Sequence, residues 1–114
     1  MKRALILYGP SASGKTTIAH MIVEKHGFKH VDTDVFRQIY SDERSEERTA
    51  VAGEVALCYA QELVKREHDI IIEALPDKYL NALKKTLQEN SYEIYEASLK
   101  TTLQKSLENN NRRE

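Results

Sequence analysis

"RALILYGPSASGKT", residues 3–16, decides how this chain folds. Its first part, "RALILY", is a compact apolar run of the kind that forms a strand buried on both faces. The run ends at Gly9, and Gly14 follows just ahead of Lys15 and Thr16. The next stretch, "KTTIAHMIVEKH" (15–26), places Ile18, Ala19, Ile22 and Val23 at helical spacing, with Gly27 as a stop. A strand therefore leads into a glycine-bounded loop, and the loop into an amphipathic helix. Such a loop suits a phosphate. Its glycines let successive N–H groups point inward around an anion. The helix start adds unpaired N–H groups and the positive end of its dipole. Ser11, Ala12 and Ser13 are small enough not to block the approach, and Thr17 follows Gly14, Lys15 and Thr16 in the helix's first turn. Lys15 can reach the β- and γ-phosphates, and the Thr16 hydroxyl can ligate Mg2+.

The rest of the chain builds a sheet around that unit. The sequence has 114 residues, 40% apolar and 31% charged, which is ordinary for one globular domain, read here as residues 1–114. Its formal net charge of −1 gives no global basic field for nucleic acid or an anionic membrane, though a local basic site is compatible with it. One cysteine, Cys58, allows no intramolecular disulfide and fits a reducing compartment. The apolar run in "MKRALILYG" is too short for a signal peptide and no segment approaches a membrane span, so a cytoplasmic location without a membrane partner is expected. "FKHVD" (28–32) reads as a second strand, Val35–Tyr40 as a helical turn, and the charged "SDERSEER" (41–48) as an exposed helix start. Ala52, Val55, Ala56, Tyr59 and Leu63 are expected to form one apolar face of a long helix. "DIIIEAL" (69–75) is a third strand, and Pro76 suits the first turn of a helix lined by Leu80, Leu83 and Leu87 and ended by Asn90. "YEIYEASL" (92–99) reads as a fourth strand, and residues Thr101 to about Glu108 as a helix carrying Leu103 and Leu107.

This alternation predicts an α/β fold, with a parallel sheet of about four strands flanked by helices on both sides. Sheets of that kind bind ligands at the carboxyl ends of their strands. Three polar clusters fall there: Gly9–Thr16, Asp32–Arg37, and Glu73.

Gly9, Gly14, Lys15 and Thr16 match G-x-x-x-x-G-K-[ST] in full, and the stretch resembles the Walker A loop of the P-loop nucleoside triphosphatase superfamily. There is no N-K-x-D guanine motif, and motor and transporter ATPases need far longer chains, which leaves the small P-loop kinases. "HVDTDVFR" (30–37) resembles two of their families. Polynucleotide 5′-hydroxyl kinases carry an Asp followed three residues later by Arg, as Asp34 and Arg37 do. The resemblance implies Asp34 as general base on the acceptor hydroxyl and Arg37 as a contact to substrate phosphate. Shikimate kinases carry D-T-D, matched by Asp32, Thr33 and Asp34, with the first Asp near the metal and the second on the acceptor. Their later glycine-rich motif is missing, since this chain has "EALPDK" (73–78). The polynucleotide-kinase-like reading therefore ranks first and a small-metabolite or nucleoside kinase second. Glu73 stands where the superfamily usually has the Walker B aspartate, one methylene longer. What the resemblance implies is ATP and Mg2+ as cofactors, with Lys15, Asp34 and Arg37 as catalytic residues and Thr16, Asp32 and Glu73 around the metal.

Plainer roles exist for the same residues. Asp34 can cap the turn beginning at Val35. Arg37 can be a solvated arginine, and Asp32 and Glu73 structural strand-end carboxylates. His26 and His30 are four apart, but Gly27 interrupts the helix between them, so no metal pair is expected; His20 and His68 read as solvated or packed. Arg44 and Arg48 are candidates to line an acceptor cleft. Kinases of these families continue with an arginine-bearing lid, a further helix and a fifth strand. Arg112 and Arg113 fall where that lid begins, so the expectation is a fragment or a reduced form, with an open fourth strand that favours self-association. The competing expectation is a nucleotide-binding module with little turnover.

Overall fold

The structure is a computed structural model, and it describes residues 2–10 and 14–99. Ser11, Ala12 and Ser13, the helix expected from Thr101, and Arg112 and Arg113 lie outside the described residues. The elements run β1 (Arg3–Tyr8), α1 (Lys15–His26), β2 (Lys29–Asp32), α2 (Thr33–Tyr40), α3 (Glu46–Lys65), β3 (Ile70–Glu73), α4 (Asp77–Glu89) and β4 (Glu93–Ser98). The strands form one sheet in the order β2-β3-β1-β4, with every pairing parallel. The expected α/β architecture is present. β1 and β3 are central, and β2 and β4 are the edges among the described residues.

Period-2 alternation along the strands divides the core into two layers. Ala4, Ile6, Val31, Ile70 and Ile72 face α3 and α4, packing on Ala56, Ala60, Leu63 and Leu83. Leu7 and Ile71 face the other way, onto Ala19 of α1 and Phe28. Every residue of β3 is buried, and burying an isoleucine side chain is worth about 1.5–3 kcal/mol, so the central strand is firmly placed. α1 stops where Gly27 turns into the left-handed region (φ 70°) and donates its N–H to the Val23 carbonyl at 3.0 Å.

The structure corrects three local expectations. α3 buries Ala52, Gly53, Ala56, Leu57, Ala60, Leu63 and Val64, whereas Val55 and Tyr59 are 43% and 41% exposed. The small residues at 52, 53, 56 and 60 let α3 lie close to its neighbours, and Gly53 accepts the ring of Tyr79 where a Cβ would stand 2.4 Å from it. The bulkier Val55 and Tyr59 are turned to the flank. Pro76 sits at the cap of α4 (φ −59°, ψ 149°) instead of inside its first turn, and its carbonyl accepts from the N–H groups of Tyr79 and Leu80. α2 begins two residues before the expected Val35, because the Asp32 side chain supplies a cap. Among the described residues no helix is long and apolar enough to cross a membrane.

Candidate functional site

Glycines stand at both ends of the loop expected to hold phosphate. Gly9 and Gly14 have φ of 136° and 89°, values that side chains rarely adopt, so glycine is needed at both. Gly14 caps α1, and its carbonyl accepts the Ile18 N–H at 3.1 Å. Lys15 is buried and its ammonium group donates to the Gly9 carbonyl, across the mouth of the loop. A buried ammonium needs such a partner. Thr16 and Thr17 are exposed in the first turn of α1.

Glu73, at the carboxyl end of β3, is only 2% exposed. One of its oxygens accepts from the Thr16 hydroxyl at 2.9 Å and the other from His30 Nε2 at 2.6 Å. Asp32 is its register partner on β2. One donor atom from each of His30, Asp32 and Glu73 lies within 4.8 Å of the others. Burial, then the neighbouring Glu73 charge, raise the Asp32 carboxyl above the usual carboxylate range, against a lowering bond from the Asp34 N–H. That bond, 3.0 Å to Asp32 Oδ1, caps α2. The cap expected of Asp34 thus falls to Asp32, and Asp34 occupies the first turn, where its negative charge suits the helix dipole.

Asp34 is half exposed and paired with the Arg37 guanidinium one turn on. The Arg37 carbonyl accepts from Arg48 Nε at 3.1 Å, which ties α2 to α3. Arg48 is therefore engaged in holding the scaffold. Arg44 instead lines an open cleft of about 620 Å³ between the starts of α3 and α4, with Thr49, Lys78 and Tyr79. A smaller cleft of about 150 Å³ lies between Gly9, Lys15, Glu73, Ala74 and Asp77. Ala74, with φ 64°, turns the chain sharply out of β3 at its wall.

The donor set fits a hard divalent cation. Thr16 gives its hydrogen to Glu73 and keeps its lone pairs free, and Asp32 has one carboxylate oxygen outside the cap. His30 is the site residue that sequence reasoning missed. Sequence spacing pairs it only with His26, on the far side of the helix stop at Gly27. The available signal was its place two residues before Asp32, which puts both side chains on one face of a strand.

This fold and this site define the class: an α/β nucleoside triphosphatase fold of P-loop kinase-like type. The chain belongs to the AAA domain family, whose model matches residues 5–112. No curated protein matches the chain. Among solved structures, it resembles the APS kinase CysC of Mycobacterium tuberculosis at 19% identity and a TM-score of 0.64, over 88% of this chain and 76% of that one. The same enzyme in complex with AMPPNP and APS matches at 19% identity and a TM-score of 0.62, over 85% of this chain and 61% of that one. A chain of the Pnkp1/Rnl/Hen1 RNA repair complex matches at 24% identity and a TM-score of 0.71, over 85% of this chain and 32% of that one. The present chain thus spans a third to three quarters of the length of these neighbours.

Proposed function

We propose that this chain is an ATP- and Mg2+-dependent phosphotransferase that moves the γ-phosphoryl group to a hydroxyl, with a nucleic-acid 5′-hydroxyl as the first candidate acceptor. The observation that carries this reading is the meeting of three elements at one end of the sheet: the Gly9–Thr16 loop, the Thr16–Glu73 bond and the Asp34–Arg37 pair. In this reading Lys15 leaves the Gly9 carbonyl for the β- and γ-phosphates, a charge-assisted contact stronger than a bond to a neutral carbonyl. Thr16, Asp32 and Glu73 hold Mg2+ directly or through water, and the ion when bound neutralises charge on the phosphates. Asp34 orients the acceptor hydroxyl and takes its proton. Arg37 keeps that carboxylate turned, and holds acceptor phosphate. A half-exposed pair such as Asp34–Arg37 contributes only about 0–1 kcal/mol to stability, so its value lies in orientation. Positioning dominates, because the phosphoryl transition state is loose. The likeness to an RNA-repair chain supports the polynucleotide acceptor, and the likeness to APS kinase supports a small-molecule alcohol as the alternative.

The test is transfer of label from [γ-³²P]ATP to a panel of 5′-hydroxyl oligonucleotides, nucleosides and small alcohols. Asp34→Asn should lower transfer by about 10²–10⁴-fold while nucleotide binding persists. Nucleotide binding without a labelled product from any acceptor would mark the chain as a nucleotide-binding module. Undiminished transfer by Asp34→Asn would remove Asp34 from the reaction.

A further inference from the structure

We infer that His30 is a positioning residue for the cation side of the phosphate site, acting through Glu73 on the Thr16 hydroxyl; this rests on the nucleotide and Mg2+ reading above. A carboxylate as buried as Glu73 is strongly unfavourable unless both oxygens are satisfied. Thr16 satisfies one, from an exposed position at the start of α1. His30 satisfies the other, from β2, the strand hydrogen-bonded alongside β3. An ionised carboxylate only accepts, so His30 Nε2 carries the hydrogen. The His30 side chain is itself mostly buried, and the ring of His20 on α1 meets it edge-on at 5.6 Å with an interplanar angle of 89°. The imidazole is thereby held from the α1 side while it holds Glu73.

The consequence runs along the chain His30–Glu73–Thr16. With Oε2 fixed on His30, the Glu73 carboxylate cannot rotate freely, and Oε1 faces Thr16. The Thr16 hydrogen is then committed to Glu73, which would leave the Thr16 lone pairs to hold a cation when one is bound. Without His30 the carboxylate turns about its last torsion, the Thr16 hydroxyl loses its fixed orientation, and cation affinity falls. Partners that orient metal ligands in this way typically change metal affinity by about 10–100-fold when removed. His30 acts through Glu73 because its hydrogen-bearing nitrogen is directed at that carboxylate.

The experiment is calorimetric titration of the full chain with AMPPNP, with and without Mg2+, reading the ratio of the two affinities. The wild-type ratio tests the underlying reading: a ratio near one would mean that the loop does not use Mg2+. Given a wild-type ratio well above one, His30→Ala should reduce it by about 10–100-fold. His30→Gln, whose amide nitrogen can stand where Nε2 stands, should recover it to within about threefold, and the shorter His30→Asn should not. Thr16→Ala combined with His30→Ala should lose no more than Thr16→Ala alone, because both act at one point. An unchanged ratio in His30→Ala overturns the inference. So does a ratio in His30→Gln as low as in His30→Asn, which would make the imidazole a direct ligand or a packing residue. If His30→Ala does not fold, the comparison of Gln with Asn decides alone.

Discussion

Glu73→Gln separates the charge of the buried carboxylate from its shape. In the native site Glu73 accepts two hydrogen bonds, from Thr16 at 2.9 Å and His30 at 2.6 Å, and both neighbours donate. The amide can accept only one of them and presents a donor to the other, so either Thr16 turns its hydrogen away or His30 changes tautomer. A hydrogen bond to a charged group contributes about 1.5–3 kcal/mol and a neutral one about 0.5–1.5 kcal/mol, so each weakened bond loses about 1–2 kcal/mol. If that loss falls on the Thr16 side, Mg2+-supported nucleotide affinity drops by about 5–30-fold at roughly 1.4 kcal/mol per tenfold. Stability should change much less, because the same substitution removes a buried charge and the Glu73 repulsion that helps raise Asp32. Titration of an ATP analogue with and without Mg2+, alongside thermal melts, reads both quantities. A lower Tm with an unchanged Mg2+ effect would refute the reasoning and leave Glu73 a structural strand-end carboxylate.

Lys15→Ala should weaken triphosphate binding by about 1.5–3 kcal/mol and adenosine binding far less; equal losses would argue against a phosphate contact. For Asp32, the folded chain holds the proton more tightly than the unfolded chain does, so stability is greatest with the carboxyl protonated. It should fall as pH rises from the ordinary value of 3.8 through the raised folded value. Asp32→Asn, which keeps the cap, should flatten that fall in denaturant titrations across the acid range, and a steeper fall would reverse the assignment. Gly53→Ala should destabilise by about 1–3 kcal/mol through the Tyr79 ring, and by nothing measurable once Tyr79→Ala has removed that ring.

Much of this was legible in the sequence because the decisive signals are local. The apolar run into Gly9, the fixed spacing to Gly14 and Lys15, and the buried "III" before Glu73 each specify an element and its end. The side of α3 was not legible in this way. Periodicity marked Val55 and Tyr59 as apolar, but which stripe turns inward depends on how closely the helix approaches, and the small residues Gly53, Ala56 and Ala60 settle that. The cap on α2 went to Asp32 instead of Asp34 because the strand ends one residue before the helix begins, a boundary that propensity does not locate. His30 was missed because its partner is 43 residues away, across a strand pairing that only the sheet order reveals.

The central claim is that one end of this sheet holds a nucleoside triphosphate against an acceptor-binding acid, and the most direct measurement is a crystal structure with AMPPNP and Mg2+. The account predicts the phosphates within the Gly9–Thr16 loop, the Lys15 ammonium moved from the Gly9 carbonyl to phosphate oxygens, Thr16 on the cation with its hydrogen still on Glu73, and Asp34 open toward the γ-phosphate. A nucleotide bound outside the loop, Lys15 still on Gly9, or Asp34 screened from the γ-phosphate by protein would contradict it.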